Sequence, residues 1–310
     1  MPTIYHTYAN VANLRDYLAG TSYSSNWTAD TVVLRRMLQT ASRRMDDYIG
    51  GDGLNTWGPY IETRVWDIGK GNYLRNDPRL VMPINSLAPQ STIVNIIPLG
   101  SWTTALTSVT SYEQTARTDN ETLTAGATND YFLMPYNTSP KFELKLNEDT
   151  AKQFYGGQQT LEIVGTFGWQ NTTSDLGVTL NGALDATQTD VTLSAGSSSI
   201  SEGNTLLIGT EQMYVESVSG VNVTVVRGVH GTTAAIQGDG SAISYYTYPD
   251  DVMQVCLDLA KIEYRNRDMG VQDAFGSGDV AMAFPANEAK NTLKELARYK
   301  AHTGNAGVVF

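Results

Sequence analysis

The side chains best suited to catalysis are few and scattered. Three histidines, His6, His230 and His302, fall near one end, in a turn-rich stretch and near the other end. No two have metal-ligand spacing, and H-E-x-x-H is absent. The chain carries no G-x-S-x-G nucleophile elbow and no EF-hand loop. Gly69-Lys70-Gly71 lacks the upstream glycine and downstream Ser/Thr of a phosphate loop, so it reads as a turn. Gly51-Asp52-Gly53 lacks the third glycine and preceding strand of a dinucleotide fingerprint. The single cysteine, Cys256, lies on the apolar stripe of a helical pattern and reads as a buried structural thiol. A glycosidase pair among the 32 carboxylates would need no sequence signature. Trp27, Trp57, Trp66, Trp102 and Trp169 could stack on sugars, but most fall at element ends or in strand-like runs, where core packing is the usual task. These residues point to a protein that is not an enzyme and needs no cofactor or metal.

The side chains with the clearest grouping are arginines. Arg35, Arg36, Arg43 and Arg44 fall largely off the apolar stripe of one long helical pattern. They form either a solvated face or a contact face for an acidic partner subunit. The whole chain is acidic, with a formal charge of −11, which disfavours gripping nucleic acid because that affinity comes mostly from Lys and Arg on phosphates.

The elements that must hold these residues follow from periodicity. The helical pattern runs from about Ala29 to Ile49, with Leu34, Met37, Leu38, Ala41, Met45, Tyr48 and Ile49 at three- and four-residue steps. Thr28 suits its N-cap, and Gly50-Gly51 suit its stop. A shorter helix fits Val11 to Leu18, ending at Gly20. From Tyr60 to about Trp169 the pattern becomes strand-like, with runs at Ile61 to Trp66, Thr92 to Ile97, Lys141 to Leu146 and Thr160 to Phe167. Strict alternation in Lys141 to Leu146 puts Phe142, Leu144 and Leu146 on one buried face. A second β-rich block, from about Gly177 to Tyr246, has candidate strands at Val191 to Leu193, Thr205 to Ile208, Met213 to Val218, Val221 to Val226 and Ala242 to Tyr246. Ser219-Gly220 reads as a hairpin turn. Pro249 with Asp250 and Asp251 opens a helix whose stripe is Val252, Val255, Cys256, Leu259 and Ile262, broken at Gly270. A last helix covers Asn287 to Tyr299, with Leu293, Leu296 and Ala297 as its packing face. The final Val308-Val309-Phe310 is apolar and is either frayed or buried in another subunit.

Fold class is therefore α+β. A helical core comes from the N- and C-terminal segments, with a central β-domain and a second small inserted β-domain. The divisions fall at 1–58, 59–170, 171–246 and 247–310. The N-terminus has neither the basic start nor the apolar run of a signal peptide, and no stretch approaches the roughly 18 apolar residues of a membrane span, so a soluble, cytoplasmically made protein is expected.

Three stretches together resemble the head–tail connector (adaptor, or head-completion) family of tailed double-stranded DNA bacteriophages. Leu34-Arg35-Arg36-Met37-Leu38, with Ala41-Ser42 and Met45-Asp46-Asp47-Tyr48-Ile49-Gly50, is similar to that family's opening helix. Thr166-Phe167-Gly168-Trp169 is similar to its short β-terminus, and Tyr248-Pro249-Asp250-Asp251-Val252 through Arg267 to the helix that follows. Where compact relatives have a short link, this chain has the block of 177–246. Thr205 to Gly209, Glu211-Gln212-Met213 and Val225 to Ala234 in it resemble a small β-module of phage virion proteins.

The resemblance implies a virion protein of the neck, between capsid and tail. It implies a ring, commonly of 12 copies, beneath the portal protein. That ring extends the channel through which double-stranded DNA passes without specific binding, and it presents a surface for the next neck or tail protein. The candidate contact residues are then Arg35, Arg36, Arg43 and Arg44 from the helix pattern, with Leu293, Leu296, Val308, Val309 and Phe310 on 293–310, which the resemblance implies is a portal-docking arm; the β-module is expected on the outer wall. The alternatives are another tail-completion or baseplate component, or a glycan-binding virion protein.

Overall fold

A computed structural model describes residues 5–19, 30–50, 58, 60–68, 96–112, 120–126, 129–134, 137, 141–147, 150–152, 154–155, 157–169, 171–272 and 286–299. Among the described residues, four helices and two antiparallel sheets make the protein α+β, with about 30% helix and 36% strand.

Helix α1, Val11–Leu18, starts on Asn10, whose side chain accepts from Asn13 N while the Asn13 side chain accepts from Asn10 N. This reciprocal cap satisfies two backbone donors that an open helix end leaves bare. Helix α2, Thr31–Gly50, begins two residues later than its periodicity suggested, and the proposed cap Thr28 lies outside the described residues. Its stripe of Leu34, Leu38, Ala41, Met45 and Ile49 is buried and packs on α3, Asp250–Gln272, through Val252, Val255, Cys256 and Leu259. Gly270 does not end α3, which continues to Gln272. A glycine costs a helix only about 1 kcal/mol, too little to stop one already anchored by packing. Helix α4, Ala286–Lys294, passes into a 3-10 turn, Glu295–Tyr299. Tyr299 Oη donates to Asp251 Oδ1 at 2.9 Å, and Arg298 also pairs with Asp251, tying this turn to the start of α3.

The described residues before 54 and after 171 form one compact unit, and those from 54 to 171 form another. The first unit holds the helices and the 171–246 block together, and the second holds the central β-domain. The segment that leaves the first unit and returns to it is the central β-domain.

In that central unit the sheet order is β1 (Tyr60–Ile68), β6 (Gly157–Phe167), β2 (Ile96–Tyr112), β5 (Lys141–Leu146) and β4 (Tyr131–Met134), with β3 (Asn120–Leu123) also on β2. Val109, Leu123, Leu144, Leu146, Phe154, Leu161, Ile163 and Phe167 form its core. Strand β2 is the main surprise. Its Ser- and Thr-rich half, Ser101 to Tyr112, lacks the apolar alternation that betrays a strand, yet it pairs with β6, β5 and β3.

The block after 171 is a small closed barrel. Its order is β7 (Thr173–Thr179), β12 (Ala242–Tyr246), β9 (Thr205–Ile208), β10 (Glu211–Ser219), β11 (Asn222–Val226) and β8 (Asp190–Thr192). The two end strands meet through a bridge between Leu180 and Leu193, where Asn181 N donates to Thr192 O and Ser194 N to Thr179 O, each at 2.8 Å. Alternate residues point inward: Leu206 and Ile208, Met213 and Val215, Val223 and Val225, Val191 and Leu193. The β10–β11 turn is Gly220-Val221, one residue later than expected, because Ser219 still pairs with Asn222; Gly220 stands at φ +63°, a conformation glycine adopts without steric cost. The N-terminal segment lies along this barrel. Thr7 Oγ1 donates to Gly203 O at 2.7 Å, and Val11 N donates to Glu202 O at 2.9 Å. Gly203 stands at φ +99°, and a Cβ there would come within 2.7 Å of Thr7 Oγ1, so the close approach requires glycine.

Candidate functional site: an arginine-lined cleft and the polar cluster behind it

On the side of α2 turned away from its buried stripe, Val32, Arg35, Arg36, Gln39, Thr40 and Arg43 line a cleft of about 440 Å³, closed by Tyr5 and by Glu216 of β10. Helical geometry explains the grouping. Residues 32, 36, 39, 40 and 43 recur at three- and four-residue steps, so their side chains share one face. The barrel fixes the other wall. Gln39 Nε2 donates to Tyr214 Oη at 3.1 Å, and the Tyr5 and Tyr214 rings lie 5.7 Å apart. Arg35 donates to Glu216 O, and its guanidinium lies 3.6 Å from the Glu216 carboxylate. Arg36 is exposed and has no ion-pair partner among the described residues. Val32 is 56% exposed, an apolar side chain at the rim.

The four predicted arginines therefore separate. Arg35, Arg36 and Arg43 come together in the cleft. Arg44 does not, because it pairs with Glu263 of α3. Leu296 is wholly buried inside its own unit, which corrects its assignment as a contact residue. It lies in the 3-10 turn, which packs on α2 and α3. Leu293 is half-buried, and Val308, Val309 and Phe310 lie outside the described residues.

Behind the cleft is a polar cluster that no sequence spacing announced. His6 and His230, separated by 224 positions, stack edge-on with ring centroids 5.6 Å apart. Arg43 reaches inward from the cleft to His6 Nε2 and also to His6 O at 3.3 Å. Its guanidinium lies 3.0 Å from Asp46 Oδ2. Tyr8 Oη donates to Asp46 Oδ1. His6 Nε2 lies 3.2 Å from Asp46 Oδ2, but neither neighbour is aligned to give that oxygen a hydrogen bond. His230 Nε2 donates to Tyr5 O at 2.7 Å, and its Nδ1 lies 2.7 Å from the Gln212 side-chain amide.

Burial sets the charge states. Loss of water pushes the Asp46 carboxyl up to about 7, against the opposing pull of Arg43 and the Tyr8 hydrogen bond. Burial, reinforced by the positive Arg43, holds His6 well below its ordinary range. Burial and the neighbouring His6 do the same to His230. Burial also raises the Cys256 thiol to about 11, and Ser42 Oγ lies 3.5 Å from its sulfur. These groups are closed off from solvent, with His6 fully buried and Asp46 2% exposed, so a dissolved substrate has no route to them. Their chemistry is adhesive: they fasten residues 5–9 to α2 and to the barrel. Among the described residues no group of three His, Cys, Asp or Glu side chains could hold a metal ion, and no helix is long and apolar enough to cross a membrane.

Comparisons with protein-family models, with curated proteins and with solved structures return no match.

Proposed function

We propose that this chain is a structural, ring-forming head–tail connector of a tailed bacteriophage. The observation that carries this reading is the two-sided character of α2. One side buries its apolar stripe against α3, and the other offers an arginine-lined cleft with an exposed valine, which supports a role in meeting a protein surface. The order of parts supports it as well: two packed helices, far apart in sequence, flank a β-unit that leaves the helical unit and returns to it.

In this reading, copies associate side by side beneath the portal protein, commonly as 12. They extend the DNA channel and present a platform for the next neck or tail protein. The acidic balance of −11 per chain lowers the attraction for passing phosphates. Imaging purified protein alone and with portal-bearing particles tests this. Twelve-fold rings or occupied portal vertices are the expected result. A monomer that ignores portals overturns the reading.

A further inference from the structure

The unit that contains α2 carries two regions of opposite charge. The cleft presents Arg35, Arg36 and Arg43, and among the described residues Glu216 is the only carboxylate lining it. The barrel segment 172–246 has seven carboxylates (Asp175, Asp185, Asp190, Glu202, Glu211, Glu216, Asp239) against one arginine, Arg227. Glu211 and Arg227 neutralise each other inside the barrel, and Glu216 faces Arg35. Of the five that remain, Glu202 is half-buried and Asp175 is exposed on β7, while Asp185, Asp190 and Asp239 are exposed on 180–190 and 237–240, segments that meet at one end of the barrel. Leu184 N donates to Gln237 O there, and Gly182 N donates to Asp239 Oδ1. Each of these carboxylates accepts from a local amide or hydroxyl, which fixes its position. None faces a cation in an ion pair among the described residues.

We infer that the cleft of one copy receives the acidic barrel end of the next. This rests on the ring reading above and names the contact that would build the ring. Charge selects the occupant: Arg35 faces Glu216 and Arg43 faces Asp46, while Arg36 has no ion-pair partner among the described residues, and the barrel is the most one-sided acidic stretch of the chain. The two surfaces are different patches of one subunit, so the contact is heterologous, the kind that generates closed rings when its rotation closes. Val32 at the rim supplies apolar area, and the arginines supply forked donors suited to carboxylates. An exposed interface of this kind steers association and weakens as salt screens it.

Complementary charge reversal tests the contact. Arg36→Glu and Asp190→Arg change exposed side chains, and circular dichroism with thermal melting checks that each variant folds. Native mass spectrometry and sedimentation then follow assembly of the wild type, each variant and their equimolar mixture at low and high salt. Each variant alone should lose ring formation, with self-association weakened at least about tenfold. The mixture should recover it, because alternating copies pair the introduced carboxylate with the introduced guanidinium at one contact and keep the native pair at the next. Wild-type rings that persist unchanged in both variants, or a mixture that does not recover, overturn this contact and leave the ring reading standing. A wild type that stays monomeric, alone and with portal-bearing particles, overturns the ring reading and this contact with it.

Discussion

Glu211 and Asp46 are both removed from water in the same unit, yet their surroundings treat them in opposite ways. Glu211 accepts four hydrogen bonds: Arg227 Nε at 2.6 Å and Gly228 N at 3.0 Å on one oxygen, Arg227 Nη2 at 2.7 Å and Ala235 N at 3.0 Å on the other. Arg227 spends its remaining donors on the carbonyls of Asp185, Gln188 and Ala235, so all five of its N–H groups are used. Burial alone would raise the Glu211 carboxyl, but these bonds outweigh it and hold the group below its ordinary range. Asp46 has one hydrogen bond and two misaligned neighbours, and burial wins. A carboxylate stays charged in a protein interior when its lone pairs are filled, whereas mere proximity to a cation is not enough.

The largest expected effect comes from breaking the filled pair. Glu211→Ala strands the Arg227 charge inside the barrel and should cost about 3–5 kcal/mol in denaturant unfolding. Replacing both partners with apolar residues of similar volume should cost less than that single change. If the double variant is the less stable one, the pair contributes more than charge compensation and the contrast with Asp46 is drawn wrongly. Arg227→Lys comes next, at about 1–3 kcal/mol, because an ammonium offers three donors where five are in use.

Asp46→Asn sharpens the other half. Near pH 7 the carboxyl is already about half protonated, so the substitution should cost under about 1 kcal/mol there. Its signature is in the pH dependence. His6 and His230 have depressed folded values, so the unfolded chain binds their protons more readily below about 6.5, and acid removes stability. Asp46 has a raised folded value, so between about 4 and 7 the folded state holds its proton more tightly and stability rises as pH falls. The two trends oppose each other. Removing Asp46 should steepen the acid loss by up to one proton, about 1.4 kcal/mol per pH unit, between about pH 4 and 6.5. Urea titrations at several pH values check this, and an unchanged slope contradicts the assigned raised carboxyl. Smallest of all, Ile236→Ser, at a side chain 76% exposed, should shift stability by less than about 0.5 kcal/mol in thermal melts.

Much of the helical architecture was legible because burial imposes a period. α1, the stripe of α2 and the stripe of α3 read directly, as did strands β5, β9 and β12, whose apolar alternation or β-branched runs are local signals. β7 and the later half of β2 escaped because Thr-Ser-Asp-Leu-Gly-Val-Thr and a Ser/Thr-rich run carry few apolar residues, and their pairing is decided by distant strands. Barrel closure escaped for the same reason, since it depends on Leu180 meeting Leu193. At the site, the arginine grouping was visible as helix periodicity, but not that Arg44 turns to Glu263. The His6–His230 contact had no local signal at all: each histidine is a single residue, and only the folded barrel brings them together.

The division of the chain also imposes an order on synthesis. The described residues of the β-unit all lie within 54–171 and can fold as soon as that stretch leaves the ribosome, whereas α2 must wait for α3, about 200 residues later. At roughly 5–20 residues per second that delay is on the order of 10–40 s. Throughout it the apolar stripe of α2, with Leu34, Leu38 and Met45, has no α3 to cover it. The newborn chain thus spends its most vulnerable interval with one half finished and the other half sticky, the stage at which a chaperone would matter most.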